Sequence, residues 1–329
     1  HYAVLNVTVG FNTKAKDYEE KKSSLENSMK VVVSQVNTEA LKYSYSELNA
    51  NKATVESNLL SYLRDLFQTD EDFQKLVDLQ NIVYNGGSFT INGFKFWYKD
   101  NPYGNVISYG AYDGDIMIAH YACIPTKMII DGREVNGIHS MATVTHPNYR
   151  GLGLFKMLAQ KTFEDAAKEG YEFVIGVANA NSFPGFIKHL GFYLIEKLDV
   201  KWGWGRIRNT SSSKCAYKYW TDDAINWRLG KSRYSRNKQS VFGKYGKYPV
   251  KTYMGEFYSL SNRVNIPKRN HILKPLNLYI GLGADLSKAH YFNFPKFVKH
   301  SPFNLIFKDL TGGNLPVLTK NEIFFQLMD

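Results

Sequence analysis

The stretch from residue 138 to residue 155, IHSMATVTHPNYRGLGLF, constrains the fold of this 329-residue chain more than any other segment. Residues 138–144 are mostly apolar and predict a strand, and the turn after them contains Gly151 and Gly153. Apolar residues between positions 154 and 163 then recur at the spacing of an amphipathic helix. A strand, a glycine turn and a helix in this order aim unpaired backbone N–H groups and the positive end of a helix dipole at one spot. Such a spot binds phosphate or pyrophosphate, although the glycines alone are also compatible with a tight strand–helix connection.

Residues 146–155, HPNYRGLGLF, resemble motif A of the GCN5-related N-acetyltransferases, the GNAT family. The turn of that motif holds the pyrophosphate of acetyl-CoA, and its pattern is Arg/Gln-x-x-Gly-x-Gly/Ala. Arg150, Gly153 and Phe155 fall on the three fixed positions. Phe155 departs from the pattern because a small residue is usual there. The tripeptide Leu-Gly-Phe at 190–192 is also similar to the family's approach to its next strand. The resemblance therefore implies that acetyl-CoA is the cosubstrate.

The order of predicted elements over about residues 96–200 is that of the same family. Segments 105–112, 115–125 and 128–130 predict strands, with turns at Asp113-Gly114 and Asp131-Gly132. A buried strand is predicted at 171–177, a polar turn at 179–182 and a short helix at 183–190. The resemblance implies an α/β chain with the GNAT fold, a mixed and splayed central sheet with flanking helices.

Three regions are predicted along the chain. Residues 86–205 form the acetyl-CoA-binding domain. Residues 1–85 form an N-terminal, mainly helical segment of open role, with helices at 14–35, 39–67 and 70–83 and a cap at Thr69. Residues 206–329 form a second, degenerate GNAT-like domain, as in tandem chains of this type. Strands are predicted there at 248–260, 276–282, 301–307 and 322–327.

The resemblance also implies which residues hold the cofactor. The strand over residues 141–145 is expected to splay from its neighbour, so that Val144 and Thr145 bind the pantetheine arm. Asn179 and Ser182 match a polar turn that contacts the arm from the other side of the splay. The residues expected to surround the pyrophosphate are Arg150, Gly151, Leu152, Gly153, Leu154 and Phe155.

Catalytic groups are harder to assign from the sequence. His139 lies on the motif A strand, where some relatives place a general base, and a structural histidine is the alternative. The family's usual general acid is a tyrosine, but its position is Ile187 in this chain. Tyr149 and Tyr193 are the remaining candidates, with proton donation by solvent as the alternative because free thiols ionise near pH 8.5.

An aromatic turn is predicted at residues 96–104, just before the second strand. Trp97, Asn101 and Pro102 match a Trp-x-x-x-Asn-Pro element of family members from bacterial surface-polysaccharide gene clusters. That likeness implies sugar contacts by Trp97 and Asn101, while a tryptophan that only seals the edge of a core is the alternative.

Composition excludes several other classes of protein. No run of 18 or more apolar residues is present, so no membrane span is predicted. With only two cysteines, a disulfide scaffold or a cysteine-rich zinc site is excluded, no metal site is predicted, and a reducing cytoplasm is expected. The first residue is His1 and not methionine, so a trimmed or partial chain stays open.

The net charge of +11 is uneven along the chain. Residues 201–274 hold 17 Lys and Arg but only three acidic residues, a local charge of +14. Such a block attracts anionic partners such as nucleic acid, a nucleotide sugar or the phosphates of coenzyme A, but a solvated basic surface is the favoured explanation. No nucleic-acid-binding motif is present, so nucleic acid is not the expected partner, although the block keeps that alternative open.

The leading hypothesis is an acetyl-CoA-dependent N-acetyltransferase that acts on a small amine, with an amino sugar or a nucleotide-linked amino sugar as the expected acceptor. Two alternatives stay open. One is an aminoacyl transferase of the Fem type, which uses charged tRNA. The other is a CoA-binding regulatory module without catalysis, which the missing tyrosine at position 187 favours.

Overall fold

The computed structural model describes residues 70–84, 89–205, 207–208, 215–230, 235–237, 240–245, 248–253, 276–294 and 301–326. The chain divides into two compact units, residues 1–73 and 74–329. Most of the first unit lies outside the described residues, and so do the predicted helices at 14–35 and 39–67 and the predicted cap at Thr69. The helix predicted at 70–83 is confirmed.

The described residues form five helices and fourteen strands. The helices are α1 (Asp70–Val83), α2 (Ile91–Tyr98), α3 (Leu154–Lys168), α4 (Phe183–His189) and α5 (Asp222–Leu229). The strands are β1 (Ile107–Asp113), β2 (Ile116–Ile130), β3 (Arg133–Thr145), β4 (Phe173–Ala178), β5 (Tyr193–Lys197), β6 (Asp199–Gly205), β7 (Ala216–Lys218), β8 (Ser235–Asn237), β9 (Ser240–Tyr245), β10 (Tyr248–Tyr253), β11 (Asn277–Leu282), β12 (Ala289–Asn293), β13 (Asn304–Asp309) and β14 (Ile323–Gln326).

These strands form one mixed sheet, which confirms the predicted α/β class. Its main order is β5-β13-β4-β3-β2-β7-β14-β11-β10-β9-β8, while β1 pairs with β2, and β6 pairs with both β11 and β12. Most pairs are antiparallel, and β3 and β4 are parallel because α3 connects them.

The hairpins predicted at Asp113-Gly114 and Asp131-Gly132 are both present. The prediction of separate strands at 115–125 and 128–130 is wrong, because β2 runs through Pro125 without a break. On one side β2 pairs with β1 only as far as Cys123 and with β7 only from Met128 onwards. Pro125 lies in the interval between these two ladders, where its missing N–H removes no ladder bond to either strand.

The parallel ladder between β3 and β4 is short. It covers Gly137–Ser140 of β3 against Phe173–Gly176 of β4, and then it ends. β3 nevertheless continues for five more residues along β2, as far as Thr145. The two strands therefore separate after Ser140 and leave an opening between their carboxyl ends.

A strand from the far end of the chain completes this part of the sheet. β13 lies between β4 and β5 and is antiparallel to both. Leu305, Ile306 and Phe307 of β13 are fully buried, with Ile306 in the apolar cluster under α3 and the other two in the cluster on the opposite face. β13 belongs to the predicted second domain but pairs with two strands of the predicted acetyl-CoA-binding domain. The division into three regions stays a prediction.

Candidate active site

The glycine turn joins β3 to α3 in an open conformation. After Thr145 the chain makes one turn of 3-10 helix at Pro147–Tyr149, and α3 then begins at Leu154. Gly151 (φ +85°) and Gly153 (φ +75°) both have left-handed backbones, and a Cβ added at either would meet no atom within 4 Å. Glycine is favoured here because of the backbone angle, since other residues rarely adopt it. The space around both glycines is open to a ligand.

The first turn of α3 is free to bind an anion. Gly153 is the N-cap residue, and no capping side chain accepts a hydrogen bond from the first N–H groups of α3. The first turn also contains no acidic residue that would repel a phosphate. The initial N–H groups of a helix have no partner within the helix, so this end of α3 presents donors and the positive end of its dipole.

Phe155 departs from the family pattern, and its partly buried side chain packs against the apolar cluster under α3. Its ring contacts the rings of Tyr121 (centroids 5.9 Å apart) and Phe186 (5.2 Å). Gly185 in α4 makes room for it, because a Cβ there would lie 2.8 Å from the Phe155 ring. The bulky residue therefore fills the space between α3 and α4. By contrast, Leu152 in the turn is 66% exposed.

The separated end of β3 contains a bulge. Met141 pairs with Ala122 and Val144 with His120, so Ala142 and Thr143 together oppose only Tyr121. Ala142 has a left-handed backbone with φ +50°, which is uncommon for a residue with a Cβ. The bulge lies at the level where β4 has already left β3.

Three side chains converge on the bulge from other elements. His120 Nδ1 lies 3.2 Å from the Ala142 carbonyl oxygen, and Gln80 of α1 donates to the same oxygen over 3.5 Å. The hydroxyl of Tyr84, just after α1, donates to the Thr143 carbonyl over 3.4 Å.

His120 lies beside the bulge and was not among the residues predicted for the site. It is only 5% exposed, and its ring stacks on that of Tyr98 in α2, with centroids 6.0 Å apart and planes 11° apart. Burial lowers the pKa of His120 to about 4, against a smaller opposing effect of the Ala142 carbonyl. The imidazole is therefore neutral at pH 7. In the sequence it is an ordinary histidine on an alternating strand, and no local signal shows that it contacts the bulge.

The other side of the opening is formed by the loop after β4. The Asn179 side-chain oxygen accepts bonds from the N–H groups of Asn181 (2.9 Å) and Ser182 (3.0 Å) and from the Ser182 hydroxyl (3.3 Å). Asn304 at the start of β13 and Ser301 just before it support this side, because Asn304 donates to the Ala178 carbonyl and Ser301 accepts from the Ala180 N–H. Asn179 thus shapes the start of α4, on the opposite side of the opening from Val144 and Thr145.

His139 lies near the point where the β3–β4 ladder ends. It pairs with Ile124 of β2 and Ile175 of β4 and is partly buried. By strand alternation it faces the same side of the sheet as His120, opposite to α3. His139 is three residues from the bulge, and its role as a base stays a prediction.

The two tyrosines considered as acids are bonded elsewhere. The Tyr149 hydroxyl donates to Asp113 Oδ2 over 2.5 Å, and this bond is the main reason that its pKa is raised. Asp113 pairs with Ile116, five residues before the bulge level on β2, a distance of about 16 Å along the strand. The Tyr193 hydroxyl accepts from the Leu318 N–H over 2.9 Å. The structure therefore does not bring Tyr149 and His139 together.

The prediction of an aromatic turn at 96–104 is wrong over its first part, because Trp97 lies on helix α2. Its ring meets that of Trp227 edge-on (5.4 Å), and the Arg228 guanidinium lies over it at 4.8 Å. Asn101 is buried, donates to the Pro125 carbonyl over 2.9 Å and accepts from the Tyr103 N–H over 3.1 Å. These contacts tie α2 to α5 and to β2. A direct contact with substrate stays a prediction for both residues.

Within the described ranges, no group of three or more His, Cys, Asp or Glu side chains is placed to hold a metal ion. None of the helices in these ranges has the length and hydrophobicity that a bilayer span requires. Much of the basic block at 201–274 lies outside the described residues.

Residues 67–195 match the sequence profile of the acetyltransferase (GNAT) domain family. Three solved structures are similar over most of the chain. The first, from Enterococcus faecalis V583, is a conserved protein of unknown function and probable N-acyltransferase, with 11% identity over 73% of this chain and 71% of that chain and a TM-score of 0.49. The second is a GCN5-related N-acetyltransferase from Kribbella flavida (12%, 74% and 70%, 0.47). The third is a GCN5-related N-acetyltransferase from Anabaena variabilis (10%, 74% and 72%, 0.45). No curated protein sequence matches this chain.

Proposed function

We propose that this chain, which matches the acetyltransferase (GNAT) domain family over residues 67–195, transfers the acetyl group of acetyl-CoA to the amine of a small acceptor in the cytoplasm. The observation that carries this proposal is the combination of the opening between β3 and β4 with the uncapped start of α3. One end of this site suits a pyrophosphate and the other suits an extended arm.

The pyrophosphate is proposed to lie against Gly151, Gly153 and the first N–H groups of α3. Both glycines leave the space that a phosphate needs, and Arg150 is exposed beside them. Charge and hydrogen bonding act together here, because backbone donors and the helix dipole both favour an anion.

The pantetheine arm is proposed to enter the opening between β3 and β4. Beyond Ser140, β3 pairs only with β2, so its edge towards β4 pairs with no strand in the described ranges. An extended arm can hydrogen-bond there as an added strand would, with Val144 and Thr145 on one side and Asn179 and Ser182 on the other.

Acetyl-CoA supplies the activated acyl group, and the chain positions it. The acceptor nitrogen attacks the thioester carbonyl carbon, the C–S bond breaks, and one proton leaves the nitrogen while the thiolate departs. Holding both reactants in line supplies about 7 kcal/mol or more of the barrier in favourable cases. His139 is proposed to take the proton, because it is three residues from the bulge on the strand that holds the arm.

The finer proposal is that the acceptor is an amino sugar, free or nucleotide-linked. Its support is the likeness of Trp97, Asn101 and Pro102 to an element of relatives from polysaccharide gene clusters. The contacts of Trp97 and Asn101 within the protein suit a supporting role, in which they shape the wall of the acceptor site from behind.

Two measurements test the proposal. Acetyl-CoA at 100 times its dissociation constant should stabilise the fold by about 2.7 kcal/mol, which raises the melting temperature by a few degrees. Release of CoA thiol is then followed with glucosamine, UDP-glucosamine, spermidine and lysine as acceptors.

We expect a thermal shift with acetyl-CoA and turnover with at least one amino sugar. A shift without turnover on any amine would favour the regulatory module. No shift at all would contradict acetyl-CoA binding, and tRNA that copurifies and dissociates as salt rises would favour the Fem-type reaction.

A further inference from the structure

His120 holds a peptide group of the bulge in a fixed direction. Its Nδ1 lies 3.2 Å from the Ala142 carbonyl oxygen. A carbonyl oxygen can only accept, so this contact is a hydrogen bond only when Nδ1 carries the proton. The stacked ring of Tyr98 fixes the plane of the imidazole. His120 is thus held in one orientation with one tautomer.

The direction of the Ala142 carbonyl determines where the next N–H points. In a trans peptide the C=O of residue 142 and the N–H of residue 143 point in opposite directions. His120 belongs to β2, which flanks β3 on the side away from β4. Because the His120 side chain projects from β2 on the face opposite to α3, a carbonyl drawn towards it turns the Thr143 N–H away from β2, towards the side on which β4 has separated and towards the face that carries α3.

We infer that His120 is a positioning residue for the acyl transfer: by holding the Ala142 carbonyl, it aims the Thr143 N–H into the opening between β3 and β4, where this N–H polarises the thioester carbonyl. This inference rests on the proposed function. It does not require His120 to contact the substrate or to exchange a proton.

Gln80 supports the same carbonyl from α1 at 3.5 Å, near the limit for a hydrogen bond. His120 is the closer donor and comes from the neighbouring strand. Neither Ala142 nor Thr143 has a partner in the register between β2 and β3, because the bulge takes this peptide out of the regular ladder. Of the two side chains that contact the Ala142 carbonyl, His120 therefore has the larger influence on its direction.

The tautomer of His120 can be measured without any substrate. The full chain is labelled with ¹⁵N-histidine, and long-range proton–nitrogen correlation identifies which ring nitrogen of each histidine carries the proton. The His120 signals are assigned by their loss in His120→Asn. We expect a neutral ring protonated at Nδ1, and a proton on Nε2 in the wild-type chain would overturn the inference.

The matched variants are His120→Asn and His120→Leu. Their side chains have nearly the same size and shape, but only asparagine keeps an N–H donor close to the position of Nδ1. The assay is release of CoA thiol from acetyl-CoA with glucosamine present. Isothermal titration with CoA and thermal unfolding confirm that each variant is folded and binds.

We expect His120→Asn to keep kcat within about 3-fold of the wild-type value. His120→Leu should lower kcat by about 10- to 100-fold while the KM for acetyl-CoA changes by less than about 2-fold, because a misdirected oxyanion donor affects the transition state most. Equal kcat values for the two variants, in a chain that binds acetyl-CoA, would overturn the inference alone. A wild-type chain that does not bind acetyl-CoA would overturn the proposed function as well. If His120→Leu does not fold, the position of the proton on the His120 ring of the wild-type chain tests the inference by itself.

Discussion

Replacing Gly153 with glutamate should weaken acetyl-CoA binding, and Gly170 provides a matched control. The two glycines flank α3 at opposite ends. Both have left-handed backbones, with φ +75° and φ +86°, and a Cβ added at either would meet no atom within 4 Å. The same substitution therefore causes a similar backbone strain of about 1–2 kcal/mol at both positions.

The two variants differ in what the new carboxylate meets. At position 153 it lies beside the proposed pyrophosphate, and two like charges 4 Å apart repel by about 1 kcal/mol in water and about 4 kcal/mol near a protein surface. Even the lower value, applied to both phosphates, gives about 2 kcal/mol, or a loss of affinity of about 30-fold. The helix dipole makes Gly153→Glu the more stable of the two variants. It stabilises a carboxylate at the start of α3 and destabilises one at its end, each by about 0.3–1 kcal/mol.

Isothermal titration calorimetry with acetyl-CoA and urea unfolding measure the two quantities. Gly153→Glu should be the more stable variant but the weaker binder, and Gly170→Glu should bind like the wild-type chain. Loss of folding stability cannot explain weaker binding by the variant that is the more stable of the two. Folded Gly153→Glu that binds acetyl-CoA within about 3-fold of wild type, or Gly170→Glu that loses as much affinity, would contradict a pyrophosphate site at this turn.

Three further predictions concern single side chains. Because the pKa of His120 is lowered in the folded chain, the unfolded chain takes up this proton first as the pH falls. The free energy of unfolding should therefore drop by about 3 kcal/mol from this group between pH 6.5 and 4. Urea unfolding should show a flatter pH dependence for His120→Asn than for the wild-type chain, and the same pH dependence in both would contradict the lowered pKa of His120. Asn101→Ala should cost about 2–3 kcal/mol of stability, because it removes bonds to the Pro125 carbonyl and the Tyr103 N–H, yet leave the acceptor KM unchanged; a raised KM at full stability would instead support a contact with substrate. His139→Ala should lower kcat by about 10²-fold or more with little effect on acceptor binding, and wild-type turnover across the pH range would remove His139 from the mechanism.

The glycine turn could be predicted because its signals are local. Gly151 and Gly153 precede a regular amphipathic pattern, and α3 begins at Leu154. The two hairpins were equally local, since each has glycine after aspartate at the turn. In these places the backbone conformation is decided by residues within a few positions of one another, so the sequence is enough.

Helix α2 shows how tertiary packing outweighs propensity. Its last residues are aromatic, a composition that favours strands over helices. Thr90 caps the helix by accepting from the Gly93 N–H, which was a readable signal. The burial of Phe96 against Trp227, 131 residues later, was not readable. His120 escaped prediction for the same reason, because the carbonyl that it binds lies 22 residues away across a bulge.

The position of β13 was beyond prediction, because its partners β4 and β5 lie more than 100 residues earlier in the chain. It has a consequence for the predicted boundary at residue 205. A chain that ends there lacks Leu305, Ile306 and Phe307, each fully buried in the wild-type chain. It also leaves Phe173 without the ring of Phe307, on which it stacks with centroids 5.3 Å apart.

We therefore expect residues 1–205 alone not to unfold cooperatively. Burial of each large apolar side chain contributes about 1.5–3 kcal/mol, so the three together supply about 5–9 kcal/mol. That sum is comparable to the whole stability of an ordinary domain, about 5–15 kcal/mol. Thermal unfolding followed by circular dichroism should show no cooperative transition for this fragment. A sharp transition together with acetyl-CoA binding would mean that the site folds without β13, and that the later strands were added to an already complete domain.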